Sequence, residues 1–192
     1  MEYRKKLIAV GLVAAIVMAG AGCNKQLIDP ETPTTTESVY VDPLSFEGLD
    51  NAFRNYNNAI NEYMKEHSEE CTVIVKDGTT FNGVAANCRY TLSPDGQYEV
   101  LQMEKTLENA TQVDEYFNLG DGVLIARSTV YNTGDFDPVV KYCITEGCIY
   151  QIDTKAETVT KILDLNDASA DAKKAELDIY YTFDEIRALY AQ

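Results

Sequence analysis

The apolar positions of this chain follow several rhythms in turn, and each predicts a different element. From Phe46 the spacing is helical. Phe46, Leu49, Phe53, Tyr56, Ile60 and Tyr63 recur at intervals of 3, 4, 3, 4 and 3, which puts them on one stripe of a helix. Asp42-Pro43 is placed to supply the N-cap and a first-turn proline. The opposite face carries Asn51, Asn55, Asn58, Asn61 and Glu62. Asparagine is a poor helix former, so packing rather than propensity must stabilise this helix. The stripe is read as a face laid on the domain's own sheet, with a ligand- or partner-facing surface as the competing reading.

From Cys71 the period falls to two, and turn signals recur at Asp77-Gly78, Asn82-Gly83, Ser93-Pro94-Asp95-Gly96 and Glu146-Gly147. Eight strand-like segments result, at 71–76, 84–92, 97–106, 111–119, 122–131, 138–144, 148–153 and 158–163. No helical pattern separates them, so they predict a consecutive antiparallel meander. Residues 166–174 read as a connection with a helical turn or two, and Leu177, Ile179 and Tyr181 alternate as in a further strand. Thr182-Phe183-Asp184-Glu185 is a capping box that opens a short terminal helix through Tyr190. The fold class is therefore α+β: one long amphipathic helix packed on a curved antiparallel meander of about seven to nine strands, with a short C-terminal helix.

One hairpin register follows from keeping a single face apolar. A three-residue loop Thr145-Glu146-Gly147 pairs Ile144 with Cys148, Tyr142 with Tyr150 and Val140 with Ile152, leaving Lys141 and Gln151 on the other face. A two-residue turn at Glu146-Gly147 sets Tyr150 opposite Cys143 and mixes the faces, so the longer loop is expected.

The segment before the helix has its own pattern. Arg4, Lys5 and Lys6 precede an uncharged run from Leu7 to Gly22, the basic-then-apolar order of an export signal. That run is shorter than the ~20 residues of a bilayer-spanning helix. It ends Ala19-Gly20-Ala21-Gly22-Cys23, which resembles the lipobox of bacterial lipoproteins. Gly20 departs from the leucine usual three residues before the cysteine. The resemblance implies removal of residues 1–22 and diacylation of Cys23. Two acyl chains, at roughly 0.8 kcal/mol per buried CH₂, hold a protein stably on a membrane. An ordinary secretory signal, with Cys23 incidental, is the competing reading. Asn24 follows the cysteine; by the same resemblance it is not the aspartate that retains some lipoproteins at an inner membrane. Residues 23–42 are rich in Pro, Thr and Glu and bury too little to order themselves, so they are read as a linker. The nineteen residues after Cys23 span about 25 Å as a flexible coil and up to about 60 Å extended. Residues 43–192 form the domain.

Composition changes this picture in one respect. Without residues 1–22 the chain keeps 30 acids against 13 Lys and Arg, a net charge of −17 over 170 residues. Such acidity argues against nucleic acid as a partner and repels anionic head groups, so a lipid tether rather than a basic patch must provide attachment. A highly charged surface also keeps the domain soluble.

Candidate chemistry is sparse. Cys71, Cys88, Cys143 and Cys148 are even in number and allow three pairings. Cys71–Cys88, around the 77–83 loop, is the better disulfide candidate; four reduced thiols is the alternative. Cys143–Cys148 is not expected, because the register above puts them on opposite faces. Their spacing fits no zinc ribbon or knuckle, so no metal is expected. His67 is the only histidine, which removes triads and two-histidine metal sites. Asp135-Phe136-Asp137 lacks the spacing of an EF-hand loop. No phosphate loop or dinucleotide fingerprint occurs, and no cofactor is expected.

The order of lipobox, linker, helix and meander resembles the layout of lipoprotein-carrier (LolA/LppX-like) half-barrels. That resemblance implies a sheet wrapped around a helix, with acyl chains held between them. The expectation is a membrane-anchored, extracytoplasmic lipoprotein without catalysis, binding a hydrophobic or envelope-derived ligand. The alternative is a structural or interaction lipoprotein of an envelope complex that takes no small molecule. An apolar cavity under the helix stripe separates the first from the second.

Overall fold

Apolar residues on both sides of a strand demand cover on both sides of its sheet, and the middle strands here have that character. The computed structural model describes residues 41–189. The helix α1 (Phe46–His67) is followed by β1 (Thr72–Thr79), β2 (Ala85–Leu92), β3 (Glu99–Thr106), β4 (Ala110–Asn118), β5 (Val123–Tyr131), β6 (Val140–Thr145), β7 (Cys148–Asp153) and β8 (Thr158–Asp164). Two short helices, α2 (Ala170–Leu177) and α3 (Phe183–Ala188), complete the order. The strands form one antiparallel sheet in sequence order, with β1 and β8 as its edges, so it is not closed. The fold is α+β with a short helix at its C-terminal end.

The helix α1 lies within the chain, and its cap differs from the expected Asp42-Pro43. Ser45 is the N-cap, its Oγ accepting from the Gly48 amide at 3.1 Å. Asp42 instead closes the preceding turn, its carbonyl accepting from the Ser45 amide at 3.0 Å. That turn folds back over Gly48, where an added Cβ meets the Asp42 carbonyl oxygen at 2.3 Å. Only glycine permits so close an approach.

Each sheet face has its own core. On one face Leu49 and Phe53 of α1 pack with Phe117, Leu124, Ala126, Cys143 and Ile152. The larger core lies on the other face, where Leu101, Met103, Tyr116, Ile125 and Ile149 meet Ile179, Tyr180, Phe183 and Ile186 from the C-terminal segment. Residues 178–182 are not the expected strand. Asp178 ends α2 in the left-handed conformation (φ 51°), and the chain then crosses the sheet with Ile179 and Tyr180 both buried. Consecutive buried residues need irregular backbone, since a strand turns neighbours to opposite sides.

Two turn expectations are corrected. Asp77-Gly78 lies inside β1, paired with Asn87 and Ala86. Gly78 serves packing, because a Cβ there falls 2.8 Å from the Cys88 Sγ. The β6–β7 hairpin uses the two-residue turn: Thr145 pairs Cys148, Ile144 pairs Ile149 and Cys143 pairs Tyr150. Glu146 and Gly147 both have positive φ, 51° and 70°, as a type I′ turn requires. Keeping one face apolar does not select the register here, because neither face of β6 is polar. Tyr142, Cys143 and Ile144 are buried in succession.

This register decides the cysteines. All four thiols at Cys71, Cys88, Cys143 and Cys148 are free. Cys88 pairs Lys76, whereas Cys71 precedes Thr72, which pairs Leu92. The two are thus about 16 Å apart along the ladder at ~3.3 Å per residue, well beyond the ~7 Å limit for a disulfide. Cys143 and Cys148 share a face as diagonal neighbours, not opposite faces as expected, at a spacing of about 7–8 Å that also exceeds bridging distance. Burial pushes the Cys143 thiol up to about 11. Cys71 is half-buried while the other three are buried, so a thiol reagent should modify Cys71 first and the others only after denaturation. Mass mapping that finds a Cys71–Cys88 bond would overturn this register.

Candidate interaction surface

Two clusters of paired ionisable groups lie beneath the C-terminal segment. In the first, Arg127 of β5 forks onto Asp114 of β4, with Nε–Oδ1 at 2.7 Å and Nη2–Oδ2 at 2.8 Å. Lys105 of β3 lies 3.3 Å from Asp114 Oδ2 and 3.1 Å from Asp178 Oδ2. Arg127 also donates to the carbonyls of Leu177 (2.8 Å) and Asp178 (3.3 Å). The Asn82 amide donates to Asp178 Oδ1 at 2.8 Å. In the second cluster Glu99 accepts from Arg187 of α3 (2.8 and 2.6 Å), from the Tyr90 hydroxyl and from the Asn118 amide. Burial pushes the Glu99 carboxyl up, but Arg187, Tyr90 and Asn118 outweigh it and leave it below its ordinary value.

Clustered ionisable groups exposed in a cleft mark candidate active sites. These groups are enclosed and mutually satisfied, with Asp114 and Lys105 almost wholly buried. They clamp α2 and α3 to the sheet.

The helix stripe divides into two parts. Leu49, Phe53 and Ile60 are buried, while Phe46 and Tyr56 are partly buried against the α1-side core. Tyr63 has left the core and stacks between His67 (4.7 Å) and Tyr98 (5.0 Å). The lone histidine sits among acids, its Nδ1 3.2 Å from Glu70 Oε1. An open depression of about 550 Å³ lies beside this group, and another of about 340 Å³ borders Lys76, Gly78 and Cys88. Neither lies between the stripe and the sheet. Asp135 accepts from the Thr133 hydroxyl and Asp137 from that of Tyr131. No group of three or more metal-binding side chains occurs among the described residues. Cys23 and Tyr190 lie outside them.

The exposed apolar side chains have an ordered distribution. In a consecutive meander the β1–β2, β3–β4, β5–β6 and β7–β8 connections all emerge at one end of the sheet, the last of them a polar turn at 154–157. Phe81 and Val84 lie in the first, Leu107 in the second, and Val130, Tyr131 and Phe136 at the third. Among the described residues the other exposed large apolar side chains are Val73 and Val75, on edge strand β1. Phe136 is 76 % exposed and Val130 49 %.

Their loop is nonetheless well braced. Val130 and Phe136 form a β-bridge, the Tyr131 amide donates to the Asp135 carbonyl at 2.7 Å, and the Asn132 amide donates to the Asn109 carbonyl of the neighbouring turn at 2.9 Å. Phe136 is thus an aromatic side chain held out on a braced loop. Pattern analysis missed these positions, since turn residues carry no periodicity. The one visible signal was an aromatic between two acids at 135–137.

Two outcomes test the clamps. Arg127→Leu leaves Asp114 short of its main partner in the interior and should cost about 3 kcal/mol, as broken buried pairs do, read by chemical denaturation. Because the folded Glu99 carboxyl titrates low, its contribution is complete above the ordinary glutamate range and is lost as pH falls through the lowered value. Glu99→Gln should flatten the melting temperature against pH on that acid side.

No family model matches the chain, and comparison with curated proteins and with solved structures finds no match either.

Proposed function

We propose that the chain is a membrane-anchored extracytoplasmic lipoprotein whose domain is a non-catalytic interaction module. The observation that carries this reading is the disposition of apolar surface. The middle strands are packed on both faces. Among the described residues, six of the eight exposed large apolar side chains gather at one loop end, and the other two, Val73 and Val75, lie on the uncovered face of edge strand β1. A carrier of hydrophobic ligands needs room under the helix stripe. Leu49 and Phe53 fill that space by packing against Leu124, Ala126 and Cys143. The structural or interaction reading is therefore preferred to the ligand-binding one.

Attachment rests on the lipobox-like Ala19-Gly20-Ala21-Gly22-Cys23. Among the described residues no helix is long and apolar enough to cross a membrane, and the reading requires none. Two acyl chains on Cys23 supply stable anchorage. The acidic domain gains nothing from anionic lipid, so removing the acyl site should remove the attachment.

The parent chain should fractionate with membranes, whereas Cys23→Ser should be released with an unchanged melting temperature. Persistent membrane association of the variant would refute the lipoprotein reading. Native mass spectrometry of the released domain should show the mass of the polypeptide alone; a co-purified lipid would restore the carrier reading.

A further inference from the structure

The lipoprotein reading leaves open what the apolar end of the sheet touches. We propose that the loops carrying Phe81, Leu107 and Phe136 enter the head-group layer of the zwitterionic phospholipid leaflet that holds the lipid anchor. This proposal rests on the anchored reading above and names a second contact for the domain with the same membrane.

Geometry is the first support. With strands about 4.8 Å apart, alternate hairpins place these tips about 10 Å from one another, in a row roughly 20 Å long. A protein-binding hot spot usually clusters its anchors at the centre of one contiguous patch. Separate prongs suit a soft surface that closes around each of them.

Backbone chemistry is the second support. A segment entering a low-dielectric layer must satisfy its own amides and carbonyls. In the β1–β2 turn the Thr80 amide donates to the Val84 carbonyl and the Gly83 amide to the Thr80 carbonyl. The Leu107 amide donates to the Ala110 carbonyl, and the Gly134 amide to the Tyr131 carbonyl. Residues 79–85 carry no charge at all. Phe81 leans on Tyr180 and Lys174 from behind, which braces its ring at the tip.

Charge selects the lipid. Glu108, Asp135 and Asp137 flank the apolar tips, all exposed and without an ion pair among the described residues. They oppose anionic head groups and complement the ammonium of phosphatidylethanolamine or phosphatidylcholine.

Tether length is the fourth support. The strands are eight or nine residues long at this end, or about 30 Å at ~3.3 Å per residue. The nineteen residues after Cys23 reach up to about 60 Å, so this end lies within range of the leaflet. Tethering makes the second contact intramolecular, and weak insertion then suffices.

The chain contains no tryptophan, so a single introduced one reports alone. Full-length lipidated F136W and, at the opposite end of the sheet, D121W would be floated with phosphatidylcholine–phosphatidylethanolamine vesicles. F136W should show blue-shifted emission and severalfold stronger quenching by acyl-brominated lipid than D121W. Replacing part of the lipid with phosphatidylglycerol should weaken that quenching. Water-like emission with quenching no greater than that of D121W, in chain that still floats, would overturn the proposal and leave the end to a protein partner. Quenching that grows with phosphatidylglycerol would overturn the choice of zwitterionic lipid. Failure to float would remove the anchored reading itself, and the proposal with it.

Discussion

Covering both faces of the middle strands of an open eight-stranded sheet is the constraint from which the rest of this structure follows. One face receives the 22 residues of α1, enough for a helix that presents several apolar turns. The other receives only α2 and α3, of eight and six residues. Helices this short are not stable alone in water, so the cover of the larger core is held by what it touches. Ile179, Phe183 and Ile186 supply apolar contact. Arg127 and Lys105 supply direction, because they bind Asp178 and the carbonyls that end α2 at fixed points above the sheet. A hydrophobic face alone does not specify where an irregular segment should lie; a forked ion pair does.

The same constraint shapes the function. Beneath the helix, Leu49 and Phe53 pack against Leu124, Ala126 and Cys143, and the buried carboxylates are satisfied by their clamps. What remains for contact is the periphery. There the β1–β2, β3–β4 and β5–β6 connections carry apolar tips while the fourth at that end, β7–β8, is polar, and the exposed groups of the opposite connections are mainly polar. An acidic body with one apolar end has an inherent orientation, which suits a domain tethered at a membrane.

Much of the architecture was legible because it rests on local rules. The 3–4 spacing of Phe46 to Tyr63, the period-two segments and the box at Thr182 and Glu185 each act over a few residues, and helix, strands and cap lie where those rules operate. The differences have separate causes. The expected β6–β7 register follows from one face meeting solvent, which is not so there. Asp77-Gly78 is a turn dipeptide by composition that packing holds inside β1, and the alternation of Leu177, Ile179 and Tyr181 spans a helix end and an irregular crossing. Cys143 looks misplaced in the two-residue register until α1 is known to cover it.

By itself, then, the sequence determined the elements, their order, the antiparallel meander and the basic-then-apolar segment ending in Cys23, since propensity, periodicity and short signals act locally. Only the tertiary structure decided that the middle strands are buried on both sides, that Asp114, Arg127, Lys105 and Asp178 meet, and that Phe81, Leu107 and Phe136 share one end. Those residues are as much as 73 positions apart in the chain, as the Lys105–Asp178 contact shows. Their proximity comes from strand order and register, which arise when burial is satisfied over the whole sheet at once.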